Sequence, residues 1–143
     1  MSIRKILRSV VILLSLVLIP FDSFAQTYKG IATYYAYKHH GRKTASGEIF
    51  HVDSLTCAHR FLPFGTIVKV TNTKNQKSVI VKVNDRGPFA KGRIIDLSKS
   101  AAEEIGITRK VGIGHVVVEV ISKGDGKIKV NKNKKRSHKK KRK

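Results

Sequence analysis

The 143-residue sequence contains a single cysteine, Cys57, so no internal disulfide can form. A chain without a disulfide has to be stabilised by a packed hydrophobic core. Free cysteines are most often small buried hydrophobes, and we interpret Cys57 in this way rather than as a nucleophile. The 97 residues from 26 to 122 are enough for one domain with an adequate core, but not for two.

The sequence also lacks an apolar run long enough to cross a bilayer. Its longest run, residues 10–20, is well short of the roughly 20 residues that a membrane span needs. Basic residues precede this run and Ser23, Phe24 and Ala25 follow it, a pattern that predicts a signal peptide over residues 1–25. We expect cleavage after Ala25, no transmembrane anchor after cleavage, and a periplasmic or secreted protein. No cysteine lies near this point, so we expect no lipid anchor there.

Acidic residues are scarce: nine Asp and Glu stand against 30 Lys and Arg, for a net charge of +21. Residues 123–143 alone carry twelve Lys or Arg and one Asp, without apolar periodicity, and are predicted to form a disordered basic tail. A nucleic-acid binder is one interpretation, but attraction of this kind is non-specific and salt-sensitive. For an exported protein we expect the tail to bind anionic envelope polymers, and we expect no specific nucleic-acid partner.

Short strand-like runs dominate residues 26–122. Alternation of apolar and polar residues predicts strands over residues 28–35, 66–71, 78–83 and 115–121, and the polar segment 72–77 predicts a hairpin. One helix is predicted over residues 99–105, capped by Ser98 or by a Ser100–Glu103 capping box and closed by Gly106. Many short strands with one short helix predict a mainly β fold, a small closed or nearly closed barrel.

Residues 83–89, with the sequence VNDRGPF, place Asp85 on a turn directly after a predicted strand. Turns after strands present side chains at the rim of a cleft, where a rigid scaffold can hold a catalytic acid. The alternative is an Asx-type turn in which Asp85 bonds only to its own backbone. Asp96, at a strand-to-helix junction, is a second candidate carboxylate, but we expect it to cap backbone amides.

Six blocks together resemble a known family. They are GIATYY at residues 30–35, HGRKTASGE at 40–48, AHRFLPFGT at 58–66, VTN at 70–72, VNDRGPF at 83–89 and RIIDLS at 93–98. In this order they are similar to the rare lipoprotein A (RlpA-like) proteins, over about residues 28 to 121. The resemblance implies a six-stranded double-psi β-barrel, a fold shared with expansins. The sequence shows neither the lipid-modified cysteine nor the SPOR domain that members often carry, so we expect the basic tail to hold the protein at the wall.

The resemblance also implies an activity, endolytic lytic transglycosylase action on peptidoglycan glycan strands. In this reaction the β-1,4 bond between N-acetylmuramic acid and N-acetylglucosamine is cleaved, and 1,6-anhydro-N-acetylmuramic acid forms. Matched block by block, the family's functional residues fall on Glu48, His59 and Asp85. The alternative is an expansin-like protein that binds peptidoglycan without cleaving it.

We predict that Asp85 is the general acid, which has to be protonated at the start of the reaction. Glu48 is predicted to be its carboxylate neighbour or to hold substrate. His59 is predicted to orient Asp85 or to bind an N-acetyl group, the alternative being a satisfied half-buried imidazole. Asn84 and Arg86, on either side of Asp85, are predicted to bind substrate, although we expect the Arg86 side chain to point away from Asp85.

Tyr34 and Tyr35, with Tyr37, are predicted to form a platform on which a sugar stacks, although strand tyrosines often only pack. Four histidines, at positions 39, 40, 51 and 59, invite comparison with a metal site. Adjacent histidines on an extended segment point to opposite faces, and no cysteine or carboxylate stands at a ligand spacing. We therefore expect no metal and no cofactor, and we expect a monomer.

Overall fold

The computed structural model describes residues 25–34 and 39–127, together with Ile3. The predicted signal peptide lies outside these residues except for Ile3 and Ala25. Tyr35, Tyr37 and residues 128–143 of the predicted tail also lie outside them. Within the ranges that are described, no helix combines the length and the apolar character that a membrane crossing requires.

Six strands and one short helix form the domain. The strands are β1 (Thr27–Tyr34), β2 (Thr56–His59), β3 (Ile67–Asn72), β4 (Ser78–Asp85), β5 (Arg93–Leu97) and β6 (Ile113–Ser122), and helix α1 spans Lys99–Glu104. They close into a barrel in the order β1-β5-β2-β4-β3-β6. The pairs β1–β5 and β2–β4 are parallel, and the other four pairs are antiparallel. The predicted mainly β barrel with one short helix is confirmed, as is the β3–β4 hairpin.

Alternating side chains build the core of the barrel. In β3 and β4 every second residue is buried, and the valines at 68, 70, 79, 81 and 83 pack with Val116 and Val118 of β6. Branched side chains suit this role because they pack well on a pleated surface. Cys57 belongs to the same core, and burial raises the pKa of its thiol. The interpretation of Cys57 as a buried hydrophobe is therefore confirmed.

Two strands, β2 and β5, do not stand out in the sequence pattern. All four residues of β2 are buried, so the strand shows no alternation of polar and apolar side chains.

At the end of β5 the Ser98 side chain accepts a hydrogen bond from the Ala101 amide and is the N-cap of helix α1. The alternative cap at Ser100 is wrong. The expectation that Asp96 caps the helix is also wrong, because its carboxylate accepts a hydrogen bond from the Thr33 hydroxyl instead.

The parallel pairing of β2 and β4 positions the candidate site. Because these neighbouring strands run in the same direction, residues 60–62 and 86–90 both leave the barrel at the same edge. Strand β5 is antiparallel to β2, so it starts at that edge. At another place on the barrel, residues just past β6 stay attached: the Gly124 amide donates to the Thr66 hydroxyl at 3.0 Å, and the Gly126 amide donates to the Phe64 carbonyl at 3.1 Å.

Candidate active site

Four residues of neighbouring strands form a line across the barrel. Ala58 pairs with Asp85 on one side and with Asp96 on the other, and Asp96 pairs with Thr33. We call these four residues the carboxylate row. Paired residues direct their side chains to the same side of a sheet, so the two carboxylates share one face. Two strand spacings separate their backbones, about 10 Å.

The row faces away from the core. Cys57 pairs with Val83 and Leu97, and all three side chains are in the core. Successive residues of a strand face opposite sides, so Ala58 and its partners face outward. Ala58 itself is only 1% exposed, so this part of the row is covered by neighbouring residues. Of the two carboxylates, Asp96 lines an open cleft.

An irregularity in strand β4 brings Asp85 to this face. The β2–β4 register shifts between Cys57 and Ala58, so Asn84 is an extra residue on β4. The Asp85 Oδ1 atom accepts hydrogen bonds from the Ala45 amide at 2.8 Å and from the Arg86 amide at 2.9 Å. The bond to Arg86 is local, but it comes from the next residue, whereas an Asx-type turn would use the amide two residues on. The bond to Ala45 joins positions 40 residues apart, so Asp85 also holds tertiary structure.

Glu48 lies on the turn that supplies the Ala45 amide. Its Oε1 atom accepts a hydrogen bond from Lys82 Nζ at 2.9 Å, and its Oε2 atom accepts one from Asn84 Nδ2 at 3.1 Å. The Ser46 amide donates to the Asn84 carbonyl at 3.2 Å. Gly47, at φ 83°, supplies the left-handed backbone that lets this turn close. The structure thus brings the predicted residues Glu48, Asn84 and Asp85 together at the end of β4.

Asp96 lies on the other side of Ala58, in a different environment. Burial raises the pKa of the Asp96 carboxyl, and the negative charge of Asp85 raises it further, while the Thr33 hydrogen bond and the Arg93 charge act in the opposite direction. Asp96 lines a cleft of about 490 Å³. The other lining residues are Thr33, Tyr34, His39, Arg93, Gly112 and Ile113. Of the predicted stacking residues, Tyr34 therefore reaches the cleft.

His59 is on the opposite side of strand β2 from the row. It pairs with the core residue Ile95, and its ring lies 5.2 Å from the ring of Tyr28, between centroids. Only 3% of His59 is exposed. Its Nδ1 atom accepts the amides of Phe61 at 3.2 Å and Leu62 at 3.1 Å. These contacts match the alternative interpretation of a satisfied imidazole, in a more deeply buried form, and the predicted catalytic role stays a prediction.

Electrostatics keep the His59 imidazole neutral. Burial lowers its pKa to about 4, and the positive charges of Arg86 and Arg60 contribute to this shift. A neutral imidazole with an accepting Nδ1 holds the chain where it leaves β2. His59 is thus equipped to shape the turn after β2 rather than to carry a proton at neutral pH.

Arg86 is bound to the same turn. Its Nη1 atom donates to the carbonyls of Leu62 at 3.0 Å and His59 at 3.2 Å, and its guanidinium carbon lies 3.7 Å from the centroid of the Phe64 ring. A guanidinium stacked on an aromatic ring and bonded to carbonyls has a fixed position. The substrate-binding role of Arg86 stays a prediction, and these contacts favour a positioning role.

From the sequence, Asp96 ranked below Asp85, and the structure places both carboxylates on one face of the sheet. The signal was present in the RIIDLS block, because alternation around the core residues Ile95 and Leu97 directs Asp96 to the outer face.

Across residues 25–34 and 39–127, no group of three or more histidine, cysteine or acidic side chains could hold a metal ion.

Comparisons with known proteins agree with this architecture. A family described as lytic transglycolase matches residues 27–130. The endolytic peptidoglycan transglycosylase RlpA of Pasteurella multocida is 58% identical over 92 residues, which are 64% of this chain and 31% of that protein. The protein of the same name from Neisseria meningitidis serogroup A is 52% identical over 101 residues, 71% of this chain and 41% of that protein. The chain therefore spans less than half the length of these relatives.

Two solved structures are similar to this one in fold. The apo expansin of Clavibacter michiganensis has a TM-score of 0.55 at 23% identity, covering 71% of this chain and 53% of that protein. The Streptomyces papain inhibitor has a TM-score of 0.52 at 22% identity, covering 68% of this chain and 96% of that protein. At these identities the likeness extends to the barrel fold.

Proposed function

This chain belongs to the RlpA-like family of lytic transglycolases, and we propose that it is an endolytic peptidoglycan transglycosylase. Its substrate is the glycan strand, cleaved at the β-1,4 bond between N-acetylmuramic acid and N-acetylglucosamine. The product carries a 1,6-anhydro-N-acetylmuramic acid end. The observation that carries the proposal is the pair of outward carboxylates, Asp85 and Asp96, on the two strands that flank Ala58.

The reaction needs a proton for the leaving oxygen and stabilisation of an oxocarbenium-like centre. A carboxyl group with a raised pKa is the suitable proton donor, which supports Asp96 as the acid. Once the glycosidic bond breaks, the same group accepts the proton of the C6 hydroxyl, which attacks C1 of the same sugar. The C6 hydroxyl proton thus replaces the proton that Asp96 gave to the leaving oxygen, and no water is consumed.

Asp85 has two functions in this mechanism. Its negative charge is one of the causes that raise the pKa of Asp96, and its own carboxylate faces the developing positive charge from the far side of Ala58. The sequence prediction assigned the acid to Asp85 and expected Asp96 to cap backbone amides, so this proposal moves the acid role to Asp96. Two carboxylates in unequal environments are a common way of dividing acid and charge-stabilising roles.

Glu48, Asn84 and Lys82 act as positioning residues in this proposal. Their hydrogen bonds hold the turn that presents the Ala45 amide to Asp85. His59 and Arg86 hold the segment after β2 in the same way. Rigid placement of this kind matters because an error of about 1 Å can cost roughly a hundredfold in rate.

Location and tail are part of the proposal. A substrate in the cell wall requires an exported protein, which agrees with the predicted signal peptide at residues 1–25. The twelve basic residues of the predicted tail, 123–143, would bind anionic envelope polymers and keep the enzyme at the wall. Deleting residues 128–143 should lower retention on sacculi at low salt without loss of cleavage.

The experiment that tests the activity is a digest of purified sacculi stripped of stem peptides. Mass spectrometry should detect 1,6-anhydro ends with the wild-type protein and none with the D85N/D96N double variant. The double variant controls for contaminating enzymes. Wild-type protein that binds sacculi without forming anhydro ends would refute the enzyme and support the non-catalytic, expansin-like alternative.

A further inference from the structure

Two phenylalanine side chains are almost fully exposed beside the candidate site. Phe61 is 78% exposed and Phe89 is 80% exposed. Exposed phenylalanine rings add little to the core, and apolar groups grouped on a surface often mark a place where something binds. The proposed chemistry uses neither ring.

The two rings are on loops that are joined to one another. Phe61 follows β2 and Phe89 follows β4, and the parallel pairing sends both loops out at the same edge of the barrel. Arg60 connects them: its Nε atom donates to the Pro88 carbonyl and its Nη2 atom donates to the Ala90 carbonyl at 2.9 Å. Phe89 thus lies between two carbonyls that this guanidinium holds, and Phe61 is the residue that follows Arg60.

Each ring also has local support. The Phe61 amide donates to His59 Nδ1, and the Phe61 and His59 rings are 6.5 Å apart between centroids. The Phe89 ring lies over Gly87, where φ is 117° and where an added Cβ atom would be 3.6 Å from the ring. Rings that are held in place lose little conformational freedom when a ligand stacks on them.

The loops continue directly from the carboxylate row. Phe61 is three residues beyond Ala58 and Phe89 is four residues beyond Asp85. Because three residues span at most about 11 Å even when fully extended, the Phe61 backbone lies within roughly that distance of Ala58.

We propose that Phe61 and Phe89 form a sugar-stacking subsite for the glycan strand, next to the point of cleavage. A pyranose ring has an apolar C–H face and polar edges, so its face can cover an aromatic ring while its hydroxyl groups stay in water. The inference rests on the proposed function, since it takes the same glycan as occupant. It assigns the stacking role to these loops in addition to the predicted tyrosines.

The test measures binding separately from cleavage. Full-length wild-type protein and the F61A, F89A and F61A/F89A variants are sedimented with purified sacculi at high salt, which suppresses attraction by the basic tail. The double variant should bind about tenfold more weakly, the order expected for two lost aromatic contacts. The control is Ile80→Ala, which truncates another exposed apolar side chain of β4, and it should bind like the wild type.

The outcomes distinguish this inference from the activity. Weaker binding by the double variant and by at least one single variant supports the subsite, even if no protein forms anhydro ends. Wild-type binding by the double variant refutes it, even if cleavage is normal. A wild-type dimer in sedimentation velocity that the double variant loses, with unchanged sacculus binding, also refutes it, because the rings would then bind a second copy. Thermal unfolding of each variant checks the fold.

Discussion

The two sides of the carboxylate row are held in different ways. Asp85 is at the end of β4, where backbone amides and the Glu48 turn hold it from several directions. Asp96 is near the end of β5, accepts a hydrogen bond from the Thr33 hydroxyl, and borders the open cleft. One carboxylate is fixed by many contacts, whereas the other is half-buried beside space that a substrate can fill.

This difference shows how one small barrel can hold one carboxylate in a precise position and keep a second carboxyl group protonated, the two requirements of the proposed mechanism. Precise position comes from hydrogen bonds to rigid backbone, and Asp85 has them. A carboxyl group that keeps its proton needs partial removal from water and a negative neighbour, and Asp96 has both. The two environments are neighbours, because Asp85 and Asp96 pair with the same residue of β2 from opposite sides.

The largest expected effect is at Asp96. Asp96→Asn should lower the rate of anhydro product formation by about 10² to 10⁴, the usual contribution of a general acid. The variant should stay folded, since the Asn oxygen can still accept the Thr33 hydrogen bond. The measurement is product formation from stripped sacculi by mass spectrometry, with sacculus binding measured in parallel.

Thermal unfolding separates catalysis from structure in the same variant. A raised pKa means that ionised Asp96 is unfavourable in the fold, so stability is lost as pH rises from the ordinary Asp range through the raised value. At pH 7 Asp96→Asn should therefore be at least as stable as wild type. The control is Glu119→Gln, an exposed carboxylate 3.7 Å from Lys69, which should keep full activity. Normal cleavage by Asp96→Asn would return the acid role to Asp85.

The pH dependence of stability tests whether His59 holds the turn after β2. Its folded pKa of about 4 is below the ordinary 6.5, so its contribution to stability is complete above pH 6.5 and is lost as pH falls toward 4. Wild-type protein should lose roughly 2 kcal/mol over this range, less than the full shift because solvent screens part of it. His59→Asn, which keeps an acceptor for the Leu62 amide, should lack this component of the pH dependence.

His59→Leu provides the matched contrast. It removes the acceptor of two amides, Phe61 and Leu62, and should cost about 2 kcal/mol more than His59→Asn at pH 7. Urea unfolding at pH 7 and pH 5 measures both effects. If His59→Asn instead remained as stable as wild type but lost all cleavage, the imidazole itself would act in the reaction, as the sequence predicted.

How much of this was available in the sequence depends on the range of the interactions involved. The strands at residues 27–34, 67–72, 78–85 and 113–122 were predictable because alternation is a local signal. Strand β2 was not, because burial on both faces removes the alternation. The joining of Glu48 to Asn84, and of Ala45 to Asp85, depends on contacts 36 and 40 residues apart. The family resemblance identified those positions, but their geometry required the fold.

The ranking of the two aspartates shows the same limit. In the sequence, Asp85 stands out because a glycine and a proline follow it, whereas Asp96 is next to a helix start and resembles a cap. Only the register of β5 against β2 reveals that Asp96 is level with Asp85 and shares its face. Burial, which sets the direction of the Asp96 pKa shift, is likewise a property of the folded chain.

The smallest expected effect is a displacement of the pH profile in Asp85→Asn. In the proposed mechanism cleavage requires protonated Asp96, so the rate should fall as pH rises through the Asp96 pKa. The Asp85 charge is one cause of the raised value, and its removal should move this limb to lower pH in the activity that remains. Glu48→Gln also removes a negative charge near β4, but Glu48 is not among the causes of the Asp96 shift. In Glu48→Gln the pH at which the rate falls should therefore be the wild-type pH, even if the looser turn lowers the rate itself. The measurement is the rate of cleavage of stripped sacculi over a pH series, for the wild type and both variants. If the rate of Asp85→Asn fell at the same pH as that of the wild type, the two carboxylates would act independently across Ala58.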